Sequence, residues 1–406
     1  MNFDIEKIRN DFPILKQEAY GKRYIYFDNA ATAYKPLQVL KAVEQIYTRF
    51  NGNPHRGAHY MSNQTTVEYE AVRDKIKEFI HAPSREEIIF TKGTTESINL
   101  VAYSFAEAFI HEDDEVIVSE MEHHANIVPW QLVCERKKAT IKVLPFDDSG
   151  RLKIETLPQL ISNKTKLIAV ALVSNVLGVI NPVEEIIKMA HNRDIPVLVD
   201  GAQAVQHLPV DVEQMDCDFF VFSGHKLYGP TGVGCLYGKR QWLDTMPPFL
   251  GGGEMIEKVS FSGTTFNVLP YKFEAGTPNF TEVIGLGAAI DYLNGLGFEN
   301  IREYEHGLIE YAREQMSTID GIRFFGETEH QSNVISFLVK NIHPYDMGMF
   351  LDKMGFAVRT GHHCAEPIMD HFKIPGTVRM SLAFYNTREE VDLFVAAIKK
   401  VAAMLA

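Results

Sequence analysis

Cysteine is scarce in this chain. Its four residues, Cys134, Cys217, Cys235 and Cys364, lie far apart among 406 residues with no CxxC pair. A disulfide framework is denser than this and a structural zinc site shows paired ligands, so neither is expected and no metal site is assigned. A reducing, cytoplasmic setting is the simplest reading. Long apolar runs are missing too. The longest, around Leu167–Val173, falls well short of the roughly 18 residues that cross a bilayer. The opening MNFDIEKIRNDF is charged and lacks the apolar stretch of a secretory signal. Positive charge is in deficit, with 40 Lys and Arg against 53 Asp and Glu for a formal net charge of -13. That balance repels phosphate backbones and anionic lipid, so neither nucleic acid nor a membrane is an expected partner. Repeats, low-complexity tracts and long Gly/Ser linkers are also absent. What remains, 46% hydrophobic and 23% charged, suits an ordinary globular protein with ample material for a core.

The apolar residues are ordered along the chain. EEIIF, EVIVS, TIKVLPF, KLIAVALVS, IPVLVDG, DFFVFSG and GVGCLYG read as buried strands. They alternate with helical segments such as 182–194, where Val183, Ile186, Ile187 and Ala190 fall on one face. Val72, Ile76, Phe79 and Ile80 mark another amphipathic helix. Near-continuous apolar strands alternating with helices predict an α/β domain whose mainly parallel sheet is covered on both faces. Beyond about residue 295 the pattern changes. A polar helix (300–316), strands GIRFF and NVISFLV, a helix near 345–354, strands FAVRT and VRMSLAF and a final helix predict a smaller α+β domain. Thr387 and Glu390 have capping-box spacing at the start of that last helix, and Val391, Phe394, Ile398, Val401 and Leu405 form its stripe.

The most informative segment is VLVDGAQAVQHLPVDVEQMDCDFFVFSGHKLYGP. One strand ends at Asp200 and the next leads into Ser223-Gly224-His225-Lys226, and ligands of open α/β sheets bind beyond such carboxyl ends. A lysine amine can form a Schiff base with an aldehyde cofactor, and an aspartate can hold a protonated pyridine nitrogen. Lys226 alone would more often be an ordinary exposed lysine; with Asp200, Gln203, Ser223 and His225 in register, that reading weakens. The run Lys92-Gly93-Thr94-Thr95-Glu96-Ser97, between a strand and a helix, can cradle a phosphate. Taken by itself it is more often helix capping. His123 and His124 follow a strand, where an imidazole can stack on a pyridine face; a solvated loop is the commoner setting. Asn175 ends another strand and can bond a ligand or simply make a turn. Arg359 and Arg379 suit bidentate capture of a carboxylate, with surface pairing as the ordinary alternative.

RTGHHCAEP places Cys364 in a short loop beside His362, His363 and Arg359. An ordinary thiol is only about 3% thiolate at pH 7. Lowering its pKa by about two units, roughly 2.7 kcal/mol, makes the nucleophilic thiolate the majority form, and nearby positive charge is one source of such a shift. Cys134, Cys217 and Cys235, of which Cys217 sits just before a strand and Cys235 within one, take the usual reading of inert buried thiols.

Together these segments resemble cysteine desulfurases of the SufS type, within the aminotransferase class V group of fold-type-I pyridoxal-phosphate (PLP) enzymes. The resemblance runs from DNAATAYKP through NPHRGAHYMS, TKGTTESINLVA, MEHHANIVPWQ, VSNVLG, VDGAQAV, FSGHKLYGPTGVG and FEAGTPN to RTGHHCAEPIM. The short RTGHHC loop resembles the SufS-like branch; the other branch carries its cysteine on a longer mobile loop. It implies a large PLP-binding domain with a seven-stranded sheet over residues 26–295. It also implies a small C-terminal domain over 296–406, and an N-terminal segment, 1–25, packing with the small domain. By motif, Lys226 would bind pyridoxal 5′-phosphate and Asp200 its pyridine nitrogen. Gln203 would meet the phenolic oxygen, and His123 would stack on the ring. Thr95, Ser223 and His225 would hold the phosphate, joined by Thr277 from a second copy, so a homodimer is implied. Arg379 and Asn175 would fix the substrate carboxylate, while Arg359, His55 and Arg56 would line the mouth. L-Cysteine would become L-alanine, with its sulfur left on Cys364 for a partner protein and ultimately for iron–sulfur cluster assembly.

Three positions depart from the family pattern. Lys92 stands in place of Arg, Glu366 in place of Met or Gln, and Tyr345 where members that use a zinc-containing, SufU-like acceptor place His. A phenol is a poor substitute for an imidazole ligand, so a SufE-type acceptor is expected. The same residues support selenocysteine lyase activity on L-selenocysteine. Another PLP β-lyase or an aminotransferase remains an alternative, and neither needs a thiol at Cys364.

Overall fold

A computed structural model describes residues 3–405. Seven strands form one sheet in the order Ile88–Thr91, Gly234–Gly238, Phe219–Ser223, Val197–Asp200, Thr165–Ala171, Glu115–Ser119 and Thr140–Leu144. All run parallel except Gly234–Gly238, which is antiparallel to both neighbours. This is the α/β architecture, with a mainly parallel sheet covered on both faces, that the strand and helix pattern predicts. Alternation along each strand explains why the runs read as continuously apolar. Ile117, Ile168, Val170, Val197, Val199 and Phe220 face one side; Val116, Leu167, Ala169, Leu198, Phe219 and Val221 face the other. Helices Val183–His191 and Phe280–Leu296 close the first side, and Thr94–Phe109 and Val128–Lys137 the second.

Helix Phe298–Ser317 leads into an antiparallel sheet ordered Ile322–Phe325, Val334–Val339, Thr377–Ser381, Arg359–Gly361. Its core is Ile335, Phe337 and Met380 against Leu308, Met316, Phe394 and Ile398. The stretch FAVRT, expected as one strand, divides. Arg359–Gly361 joins this sheet, whereas Phe356–Ala357 pairs in parallel with Ile25–Tyr26 near the N-terminus. The final helix, Arg388–Leu405, has its capping box: Thr387 Oγ1 accepts the Glu390 N–H at 3.2 Å and Glu390 Oε2 accepts the Thr387 N–H at 3.2 Å. Glu390 Oε1 also binds Arg9 and Arg23, each at 2.8 Å, which ties the N-terminal segment to this helix. Val391, Phe394, Ile398 and Val401 are buried as the stripe predicts, but Leu405 at the helix end is exposed. No helix among the described residues is long and apolar enough to cross a membrane.

Candidate active site

Five parallel strands end at one crevice, and each delivers a side chain there. After Ile88–Thr91 comes Thr95; after Glu115–Ser119, His123; after Thr165–Ala171, Asn175; after Val197–Asp200, Gln203; after Phe219–Ser223, His225 and Lys226. Arg359 and Arg379 come from the small sheet and Cys364 from the loop beyond Gly361. Lys226, Asp200, Gln203, His123, Thr95, Ser223, His225, Asn175, Arg359, Arg379 and Cys364 therefore line one pocket. Thr277, His55 and Arg56 do not. Thr277 is exposed and borders a separate cavity with Lys92 and Glu96. His55 bonds Glu70 at 3.0 Å and, like Arg56, pairs with Glu254.

At one end of the pocket, helix Thr94–Phe109 presents its N-terminus. Gly93 turns the chain into it with φ +151°, a conformation side chains avoid, and a Cβ there would lie 3.2 Å from Ser223 Oγ. Ser223 Oγ accepts the Thr94 N–H at 2.8 Å and sits 2.8 Å from Thr94 Oγ1. A helix N-terminus ringed by hydroxyls attracts an anion. At the far wall, Asp200 is buried, with Oδ1 accepting the Ala202 N–H at 2.9 Å. Burial raises its pKa while the Lys226 charge works against that rise. Lys226 itself is lowered to about 8, chiefly by burial, with Asp200 opposing. Burial first, then the Lys226 charge, brings His123 and His225 down to about 4. Both rings are therefore neutral at physiological pH. Nδ1 of His123 accepts the Ala125 N–H at 3.0 Å, which leaves its proton on Nε2. Gln203 donates from Nε2 to the Ala30 carbonyl at 2.7 Å.

The other end carries the cations and the thiol. Asp28 Oδ1 lies 3.1 Å from both Arg359 Nε and Arg379 Nη2, so one carboxylate is shared by two guanidiniums. Arg379, 2% exposed, also donates from Nη1 to the Asn175 carbonyl at 2.9 Å, and its buried Nε has no partner among the described residues. Asn175 spends its amide on the His363 carbonyl at 2.7 Å, so it holds the cysteine loop. Cys364 is the exposed thiol; Cys134, Cys217 and Cys235 are buried, and burial pushes their pKa values up. Of the positive charge expected beside Cys364, His363 supplies none: burial keeps it neutral, with Nε2 2.8 Å from Thr377 Oγ1. The charge on that side is carried by the guanidiniums, and Asp28 holds Arg359 charged.

Asp28, which holds both arginines, is the residue that sequence reasoning left without a role. Asp28 had a signal, since it closes the apolar run Ile25-Tyr26-Phe27 as Asp200 closes VLV.

A model of the aminotransferase class-V family matches residues 25–394, and the chain belongs to that family. Relatives narrow the likeness. A protein of Shigella sonnei named cysteine desulfurase is 50% identical over 406 residues, covering 100% of both sequences. The crystal structure of the Escherichia coli cysteine desulfurase CsdA is 39% identical, with TM-score 0.93 and 100% of each chain covered. A C-DES variant with glycine covalently linked to its PLP cofactor is 22% identical with TM-score 0.84, covering 96% and 98% of the two chains, which shows a shared fold. The cofactor of this chain is pyridoxal phosphate. The pocket fits it: an amine whose pKa burial lowers to about 8, a buried carboxylate, neutral imidazoles and a hydroxyl-lined helix N-terminus lie around one cavity.

Proposed function

We propose that the protein removes the sulfur of L-cysteine, leaving L-alanine and a persulfide on Cys364. The observation that carries this is an exposed thiol in the wall of the pocket that holds Lys226 and Asp200. Pyridoxal phosphate, when bound, supplies an electron sink that makes the substrate's Cα proton removable. Lys226 would hold it and move that proton, with a pKa of about 8 suiting an amine to both tasks. Asp200 would keep the pyridine nitrogen charged, Gln203 would meet the phenolic oxygen, and His123 would cover the ring. Thr95, Ser223 and His225 would bind the phosphate, and Arg379, Arg359 and Asn175 the substrate carboxylate. The Cys364 thiolate then attacks the substrate sulfur. The S–S bond forms as the Cβ–S bond breaks, and that bonding pair passes to the carbon skeleton that becomes alanine.

Thr277, His55 and Arg56, which do not line their own chain's pocket, would complete that of a second copy, so the working unit is a homodimer. Exposed Tyr47, Tyr60 and Val67 on neighbouring stretches of chain provide apolar surface for it. The short loop 362–365 supports the SufS-like branch, and exposed Tyr345 supports a SufE-type acceptor and a place in iron–sulfur cluster assembly. The same pocket would accept L-selenocysteine, whose more reactive selenolate needs less help from Cys364.

Intact mass after incubation with L-cysteine tests the proposal. Wild type should gain one sulfur atom, Cys364→Ala none, and the amino-acid product should be alanine. Pyruvate as the product, or cysteine turnover surviving in Cys364→Ala, would overturn it; selenium release surviving in that variant is expected.

A further inference from the structure

We propose that His124 is a positioning residue that fixes Cys364 at the pocket mouth. The His124 backbone N–H donates to the Cys364 carbonyl at 2.7 Å, and its ring Nε2 accepts the Glu366 N–H at 3.0 Å. One residue thus holds the loop at the thiol-bearing residue and again two positions further on. The loop needs holding. His363 and Cys364 have φ of +53° and +57°, two consecutive left-handed residues that are not glycine, a conformation L-residues disfavour unless their surroundings impose it.

The turn that carries His124 is itself fixed. Glu122, fully buried beneath it, accepts the Asn126 amide at 2.7 Å and the Ala171 N–H at 2.9 Å. His123, one residue before, lines the pocket, and its Nδ1 caps the same turn. Adjacent imidazoles on one rigid turn therefore face different tasks: His123 borders the cofactor pocket and His124 grips the thiol's loop. The spacing between the pocket and the thiol is set by this turn, so a slack grip should slow sulfur capture without loosening the cofactor. To accept the Glu366 N–H, Nε2 must be unprotonated, which places the ring proton on Nδ1.

The catalytic half of this inference rests on the desulfurase reading; the geometric half does not. The test uses PLP-loaded wild type, His124→Ala and His124→Gln, whose side-chain carbonyl can replace the lost acceptor. Iodoacetamide alkylation of Cys364, followed by intact mass, reads the loop, and alanine formation from L-cysteine reads the reaction. In His124→Ala, alkylation should speed up severalfold and kcat should fall about tenfold, as misplaced reacting groups do, with KM and cofactor absorbance nearly unchanged. His124→Gln should recover most of both. Wild-type alkylation and kcat in His124→Ala, or a Gln variant as impaired as Ala, would overturn the assignment. Should wild type itself fail to desulfurate cysteine, the functional reading falls while alkylation still decides the loop's anchor.

Discussion

A lysine amine at neutral pH is ordinarily charged, and a charged amine cannot attack an aldehyde. Burial changes this for Lys226: with a pKa of about 8, roughly a tenth of it is free amine at pH 7 and half at pH 8. Cofactor uptake by the cofactor-free protein should therefore accelerate as pH rises from 7 and level off above about 9, measured by the growth of cofactor absorbance. The same shift has a sign in stability. Between about 8 and the ordinary 10.5, the unfolded chain retains a proton that the folded chain has released, so raising the pH favours the fold. Cofactor-free wild type should gain on Lys226→Met in urea denaturation between pH 8 and pH 10. A flat difference would mean that Lys226 is not buried as described. Single residues such as Lys226 and Asp200 were legible in the sequence because Asp200 ends a strand and Lys226 lies just beyond one, and strand ends in parallel sheets are where ligands meet the chain. Asn175's grip on His363 was not legible, since 188 residues separate the pair.

Elements were legible wherever periodicity alone decides them. The helix at Val183–His191 has its four predicted apolar residues buried, and the capping box at Thr387 and Glu390 is closed as spaced. Pattern does not say which sheet a strand joins. FAVRT has one continuous extended signature, yet Phe356–Ala357 finds its partner more than 300 residues away at Ile25–Tyr26 while Arg359–Gly361 joins another sheet. The ties of Glu390 are equally non-local. Its carboxylate, 3% exposed, serves a helix cap and two arginines at once. Glu390→Ala should cost about 2–4 kcal/mol in chemical denaturation, because it removes the cap and leaves Arg9 without its carboxylate partner. A loss below about 0.5 kcal/mol would show these contacts to be solvent-compensated.

At the scale of the molecule, one chain gathers eleven of the fourteen residues singled out from sequence into a single pocket and leaves Thr277, His55 and Arg56 outside. If those three serve a neighbour, complementation should show it. Heterodimers of Lys226→Ala with Thr277→Glu, isolated through two affinity tags, contain one site with both residues intact. They should recover about half of wild-type activity, whereas either homodimer stays far below that. Heterodimers no more active than the Thr277→Glu homodimer would confine each site to one chain.

The distribution of sulfhydryls has a practical consequence. Three lie in the interior and one faces solvent at the pocket mouth, so the native protein carries a natural single-point handle. A maleimide dye should label each folded polypeptide once, and its emission would then report ligands arriving at the crevice without any engineered cysteine.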